Sequence, residues 1–281
     1  MRKLLILFGL LFTFALSQAQ QLGIIASQDI AAAGYCAEYQ AVYDLLDAKP
    51  EADTAAAQND LVEAGIAHGW WAKGDLIYVT AQRTQAGALL NWPNPSGDDN
   101  ITNTTDCAFT KYQGFTGASV TSEYMVANWN PSSESVNFTL NEATISAYTR
   151  IDINAAEVIL GCFSTNYITL IPRNAGSLQG RLNDLGTIDK ATANSLGLST
   201  VVRINSTTLR AFKNGTPFLD VTVNSTAIPN TGLNILKSQT GSFSNNQVSF
   251  IYIGGLLSNT EVSDMNTDVE TYLDFVGAGV E

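Results

Sequence analysis

The chain has 281 residues, with 14 basic against 26 acidic side chains and a net charge of −12. Because a polyanion repels an acidic chain, this charge argues against nucleic acid and against an anionic membrane surface as partners. The length allows one large core, or a core with a small subdomain, and the abundance of Thr, Ser, Asn and Gly is typical of β-proteins.

The beginning of the chain has the pattern of a secretory signal peptide, which we assign to residues 1–19. Arg2 and Lys3 precede an apolar run at 4–16, and small residues occupy the positions before a cleavage site at Ala19. The run is shorter than the ~20 residues that a spanning helix needs, so we expect cleavage, with an uncleaved membrane anchor as the alternative. Two of the 14 basic residues would be removed, which leaves 12 basic and 26 acidic side chains and a charge of −14. We expect a secreted or surface-displayed protein without stable membrane insertion.

Two helices and a strand are predicted next. Apolar residues recur every three to four positions at 35–47, and Lys49-Pro50 ends that helix. A second helix is predicted at about 51–64, because a proline precedes it and Gly65 follows it. The short β-branched run at 76–80 predicts a strand.

A polar loop at 92–106 marks a change in sequence texture. We place a domain boundary there, with residues 20–92 forming a helical segment with one strand and residues 93–281 forming a β-sandwich with a terminal helix. After the loop, short strand candidates alternate with turn signals. These candidates are 119–126, 137–151, 157–163, 167–172, 200–205, 208–213, 217–223, 233–237 and 247–254.

Two local motifs are specific. Asn214-Gly215 predicts a hairpin, because these residues tolerate the positive φ angles of a type I′ turn. Ser258-x-x-Glu261 is a capping box that opens a C-terminal helix, and Gly277 closes it. An apolar stripe indicates that this helix docks on the sandwich; the stripe comprises Val262, Met265, Val269, Tyr272, Leu273 and Val276.

Two segments resemble concanavalin A-like lectin/glucanase domains, also called laminin-G-like domains. The first is LRAFKNG at 209–215 with the strand at 217–223, and the second is FIYIGGLLSNTEV at 250–262. The resemblance implies a mainly β jelly-roll sandwich of antiparallel sheets, with the N-terminal helical hairpin and a C-terminal capping helix added.

The N-terminal part resembles an uncharacterised family that occurs in phages and in secreted bacterial proteins. LVEAGIAHGWWAKGDLIYV at 61–79, NWPNP at 91–95 and YQGFTG at 112–117 carry this resemblance. There a helical segment precedes a lectin-like jelly roll, which implies a surface-exposed binding or structural role. The resemblance supplies no catalytic residues, because this sandwich hosts many unrelated functions.

The sequence offers little for catalysis. His68 is the one histidine, which excludes a multi-histidine zinc site, and no Gly-x-Ser-x-Gly elbow accompanies it. The Glu-x-Asp-x-x-Glu strand of lectin-like glycosidases is absent. Glu261, Asp264, Asp268 and Glu270 recur at helical spacing and indicate one solvated helix face. We therefore predict that the protein is not an enzyme.

The three cysteines, Cys36, Cys107 and Cys162, form an odd set. Export permits one disulfide with one thiol left over, and buried thiols are the alternative.

Calcium is the one cofactor that the sequence suggests. Hard cations bind several oxygen ligands, and Asp98, Asp99, Asn100 and Asp106 fall in one loop. The alternative is that these residues only form turns.

Two tryptophans are candidates for sugar stacking. Trp129 lies between Asn128 and Asn130, and Trp92 lies in a similar Asn-Trp-Pro-Asn loop. We assign Trp92, Trp129, Asn128 and Asn130 as candidate ligand-binding residues. The alternative is that both rings are buried, as is usual for tryptophan.

The sequence therefore favours a secreted, non-enzymatic adhesion module that binds glycan, another extracellular polymer or a protein surface. The alternative is a structural or decoration protein of a phage virion or an extracellular appendage, which would contact virion neighbours or form a homo-oligomer. A glycoside hydrolase is the least favoured function.

Overall fold

The computed structural model describes residues 34–281, so the signal peptide expected at 1–19 lies outside the described residues. The chain from Ala37 to Glu281 packs as one unit. Within the described residues, no helix is both long and apolar enough to cross a membrane.

Three helices lie in the first part of the described chain, and one lies near its end. Their bounds are α1 Ala37–Leu45, α2 Ala52–Ala67, α3 Gln85–Ala88 and α4 Asn259–Phe275, with a short 3₁₀ turn at Trp71–Lys73. The capping box of α4 is confirmed, because Ser258 Oγ accepts from the Glu261 amide and the Glu261 carboxylate accepts from the Ser258 amide.

Gly65 does not end α2, which runs on to Ala67; the end predicted at residue 64 is wrong. A Cβ at Gly65 would lie 2.6 Å from the Trp70 ring. The glycine is therefore present because an aromatic ring packs directly on the helix backbone. The turn comes later, at Gly69, whose φ of +83° favours glycine.

The strands form two antiparallel sheets. Within the described residues, the larger sheet has eight strands in the order β13-β12-β11-β6-β15-β4-β3, with β1 also paired to β15. Their bounds are β1 Gly74–Val79, β3 Ala108–Thr110, β4 Gly114–Thr116, β6 Ala143–Thr149, β11 Gly197–Asn205, β12 Thr208–Lys213, β13 Thr216–Thr222 and β15 Gln247–Gly254.

The smaller sheet has seven strands in the order β10-β9-β8-β7-β14-β5-β2 within the same described residues. Their bounds are β2 Ile101–Thr102, β5 Met125–Ala127, β7 Leu160–Phe163, β8 Tyr167–Asn174, β9 Ser177–Asp184, β10 Ile188–Ala191 and β14 Leu233–Ile235. The predicted mainly β sandwich with N-terminal helices and a C-terminal helix is confirmed.

Several predicted strands differ from the observed ones. The segment at 119–126 is mostly a turn, in which Ser122 has a φ of +60° and Val120 is 91% exposed. β-branched residues there suggested a strand, but no partner strand pairs with residues 119–124. β9 and β10 were not predicted, because their polar outward residues and glycines resemble a loop in sequence.

The two sheets enclose the main core. It includes Ile145 of β6, Leu170 of β8 and Ile251 of β15. Cys107 and Cys162 also lie in this core as free thiols, so no disulfide joins them. Burial raises the pKa of both thiols to about 12, which keeps them protonated.

A helical layer, formed by α1, α2 and α4, covers the other face of the larger sheet. Trp70 packs edge-on against Phe250 and Tyr252 of β15, and its indole Nε1 donates to Asp268 of α4 at 2.8 Å. β15 is consequently buried on both faces. β1, which precedes the boundary inferred at residue 92, pairs with β15 in this same sheet.

Candidate functional site

The candidate tryptophans are both buried. Trp92 is 1% exposed and packs at 6.0 Å against Tyr39 of α1, whereas Trp129 is 2% exposed and meets Phe138 edge-on at 5.8 Å. Neither ring presents a face to solvent, so neither forms the exposed sugar platform expected from its polar flanks. Packing against Tyr39 and Phe138 accounts for the difference.

The neighbouring amides hold loops together. Asn128 Nδ2 donates to the Asn100 carbonyl at 2.8 Å and to Thr102 Oγ1 at 2.9 Å. Asn130 Nδ2 donates to Asn230 Oδ1 at 2.8 Å. These contacts give both side chains a structural role.

The candidate calcium residues do not converge. Asn100 uses its Oδ1 to accept from the Asn91 amide at 2.7 Å and its Nδ2 to donate to two loop carbonyls. Burial raises the pKa of Asp99, and Asp106 adopts a turn with a φ of +59°. Among the residues that the structure describes, no three or more Asp, Glu, His or Cys side chains are placed together to hold a metal ion. Asp98 is therefore not part of such a group. Asn100 thus makes hydrogen bonds within this loop.

A groove with a volume of about 220 Å³ lies on the outer face of the smaller sheet, and we call it the sheet groove. Its floor is formed by β7, β8 and β9, and one wall by the loop at 237–242. Side chains alternate along a strand. Ile168 and Leu170 of β8 therefore enter the core, while Tyr167 and Thr169 face the groove.

An aromatic and cationic stack forms another wall of the sheet groove. The rings of Phe163 and Tyr167, which are register partners on β7 and β8, lie 4.2 Å apart and only 19° from parallel. The guanidinium carbon of Arg181 lies 4.5 Å from the centre of the Tyr167 ring. We call these three side chains the stack. Cation–π attraction and ring stacking hold it together and fix the guanidinium in place.

The opposite wall is built on a glycine. A Cβ at Gly161 would lie 2.3 Å from the Lys237 carbonyl, so the 237–242 loop crosses β7 at a point where only glycine fits. The loop is also tied internally: the Ser238 amide donates to the Ser242 carbonyl at 2.7 Å, and Ser242 Oγ donates to Ala156 at 2.9 Å. This wall presents hydroxyl and amide groups to the groove on an ordered backbone.

The polar groups of β9 are likewise fixed. Arg181 Nε donates to Thr187 Oγ1 at 2.7 Å. Gln179 Nε2 donates to Asp189 at 2.7 Å, and its Oε1 accepts from Asn174 at 3.1 Å. The sheet groove is therefore a preformed site, with an apolar wall, a fixed cation and polar groups in set positions.

The two stacked antiparallel sheets form a concanavalin-like jelly-roll sandwich with an added helical layer. No protein-family model matches the sequence, and no curated protein matches it. Solved structures do share the fold, and the botulinum neurotoxin binding domains are among them.

Three structures with a TM-score of at least 0.50 illustrate the match. A structure of botulinum neurotoxin type C matches with a TM-score of 0.52 and 12% identity over 70% of this chain and 51% of that chain. Cell entry of that toxin depends on interaction with two ganglioside molecules. The neurotoxin DC binding domain in complex with SialylT matches with a TM-score of 0.52 and 11% identity over 70% and 51%. The serotype D binding domain matches with a TM-score of 0.50 and 11% identity over 69% and 51%. The matched region thus spans about half the length of these domains, and the likeness establishes the fold.

The sequence analysis missed the stack. β8 was predicted as a strand, but β9 was not, so Arg181 was never placed beside Tyr167. One sequence pattern could have indicated β9: apolar Leu178 and Leu182 alternate with polar Gln179 and Arg181. Such alternation is typical of a strand with one buried face.

Proposed function

We propose that the protein is an extracellular, non-enzymatic glycan-binding module whose binding site is the sheet groove. The stack of Phe163, Tyr167 and Arg181, set opposite a wall of hydroxyl and amide groups, is the observation that carries this proposal.

The chemistry of the groove matches that of a sugar. A sugar ring has apolar C–H surfaces and a rim of hydroxyl groups. The stack supplies apolar surface, and Thr169, Gln179 and the 237–242 loop supply donors and acceptors. Because Gln179 and the 237–242 loop are already held by the internal bonds described above, little conformational entropy is lost when a ligand binds.

The size of the groove limits the ligand. Sites for drug-sized ligands have volumes of roughly 300–1,000 Å³, whereas the sheet groove holds about 220 Å³. We expect it to take one or two sugar residues, such as the end of a glycan, with the rest of the chain in solvent.

Binding without cleavage is supported by the side chains present. Glycoside hydrolysis generally uses a pair of carboxylates, and the described lining of the groove contains no Asp or Glu. The described lining includes one thiol, that of Cys162, which donates to the Thr231 carbonyl at 3.2 Å. Burial raises its pKa to about 12. It therefore stays protonated at neutral pH.

An extracellular location is supported by the signal-peptide pattern at residues 1–19. The fold is compatible with glycan recognition, since it occurs in a neurotoxin whose cell entry is described as dependent on gangliosides.

A glycan array tests the proposal. The wild-type protein and Tyr167→Ala would be compared on one array, with Phe275→Ala as the matched control, because Phe275 is a 54% exposed aromatic on the helical layer. We expect the wild type and Phe275→Ala to bind the same glycans. Tyr167 lies between Phe163 and Arg181, so its removal takes away the support of the whole stack. Truncation of a central binding residue costs at least about 1 kcal/mol, so Tyr167→Ala should bind them at least about fivefold more weakly.

Two results would reject the proposal. One is a wild-type protein that binds no glycan, with or without millimolar calcium. The other is a Tyr167→Ala protein that binds as tightly as Phe275→Ala. Thermal unfolding of each variant establishes that it is folded when tested.

A further inference from the structure

We infer that the sheet groove is selective for a sugar residue that bears a carboxylate, which Arg181 would bind. This inference rests on the proposed glycan-binding function and specifies the ligand class of the same site.

The guanidinium of Arg181 has unused donors. Its Nε donates to Thr187, but within the described residues no hydrogen bond or ion pair uses either of its Nη groups. Arg173 pairs with Asp152, and Arg210 pairs with Asp220. Among the described residues, Arg150 also lacks a carboxylate partner, but its Nε and Nη1 donate to Ala278 and Gln247. In a chain that has almost twice as many acidic as basic residues, an arginine with neither Nη group engaged is notable.

The position of the unused donors points to a ligand. The stack holds the guanidinium over the Tyr167 ring, at the wall of a preformed groove. A planar guanidinium binds a carboxylate through two parallel N–H···O bonds, a geometry that neutral hydroxyl groups cannot match. With Nε held by Thr187, the two Nη groups remain to form that pair.

The charges around the groove permit an anion despite the acidity of the whole chain. The described lining holds no Asp or Glu. Asp189 of β10, the register partner of Gln179, is outside that lining and accepts from the Gln179 side chain. Arg173, which follows Tyr167 and Thr169 on the same face of β8, is paired with Asp152. Arg181 is therefore the charge that a bound carboxylate would meet.

A matched pair of ligands tests the inference. A uronic-acid oligosaccharide and the same oligosaccharide after carboxyl reduction differ only in –COO⁻ against –CH₂OH. Affinities would be measured by calorimetry for the wild type, Arg181→Gln, Arg181→Lys and the control Arg173→Gln. Two further ligands are tested in the same way. A sialylated oligosaccharide shows whether the carboxylate of a sialic acid is preferred to that of a uronic acid. An oligosaccharide that carries sulfate but no carboxylate shows whether any anion is sufficient.

We expect the wild type and Arg173→Gln to bind a carboxylated oligosaccharide, uronic or sialylated, at least about tenfold more tightly than its neutral counterpart. Arg181→Gln should bind both forms equally and weakly. Arg181→Lys should keep part of the preference, because it retains the charge but loses the paired donors.

The failures of the two proposals are distinguishable. If the wild type binds neutral glycans as tightly as carboxylated ones, or prefers the sulfated arm, this inference is overturned and the glycan-binding function stands. If Arg181→Gln keeps the preference while folded, the inference is also overturned. If no glycan binds in any arm, the proposed function fails and the inference with it.

Discussion

The ion pair between Arg203 of β11 and Asp184 of β9 gives the sharpest stability prediction. The two residues are 0% and 1% exposed, and the guanidinium also donates to the Leu182 carbonyl at 2.7 Å and the Val223 carbonyl at 2.9 Å. The Asp184→Asn substitution keeps the shape but removes the negative charge. An uncompensated buried cation then remains, which costs about 3–5 kcal/mol.

We expect the lower half of that range, because the two carbonyl contacts persist. A loss of about 3 kcal/mol would lower the Tm by roughly 6–12 °C in a unit of this size, which a thermal scan measures.

The free energy of unfolding is measured by urea titration at pH 7. Tryptophan fluorescence monitors the transition and reports on the core, because Trp70, Trp92 and Trp129 are buried.

The chain supplies a matched control for this experiment. Arg210 and Asp220 form an equally direct pair, with Nε and Oδ1 2.6 Å apart, but at the surface. Asp220→Asn should therefore cost less than about 1 kcal/mol. Replacement of both buried partners, as Arg203→Met with Asp184→Leu, should restore most of the lost stability. Equal costs for Asp184→Asn and Asp220→Asn would refute the assigned role of burial.

Three further predictions concern the helical layer. Ser258→Ala removes one half of the capping box and should lower the free energy of unfolding by about 1 kcal/mol, measured in urea; no change would mean that the cap is not formed. His68 Nδ1 lies 2.8 Å from Asp268, and this hydrogen bond raises the pKa of His68 above its usual 6.5. The stabilisation is present below the unfolded-state pKa and is lost as the pH rises through the folded-state pKa, so His68→Gln should destabilise more at pH 5.5 than at pH 9; equal effects would contradict this. Gly65→Val should cost about 1–3 kcal/mol and alter the near-ultraviolet circular dichroism, because the new side chain would overlap Trp70; an unchanged spectrum and stability would count against that packing.

Features with local causes could be predicted from the sequence. The Asn214-Gly215 hairpin is confirmed, with φ angles of +48° and +69° as a type I′ turn requires. The strand at 247–254 is confirmed at both ends, and the capping box is confirmed at Ser258. In each case the determining residues are adjacent or within a few positions of one another.

Features that depend on distant residues could not be predicted. Trp92 has polar neighbours in sequence, which suggested exposure, but α1 covers its ring. The sheet groove joins β7, β8 and β9 to a loop more than fifty residues further along the chain, so no window of sequence contains it. Its assembly depends on Gly161, whose role is visible only once the 237–242 loop is seen to cross it.

Hydroxyl-radical footprinting of the protein with its best array glycan tests the central claim most directly, because it reports the solvent access of individual side chains. The sheet groove predicts that a saturating glycan lowers the oxidation rates of Phe163 and Tyr167 and leaves the rate of Phe275 unchanged. A saturating glycan that protects Phe275, or that leaves Phe163 and Tyr167 as reactive as in the free protein, would contradict the assignment of the groove as the binding site.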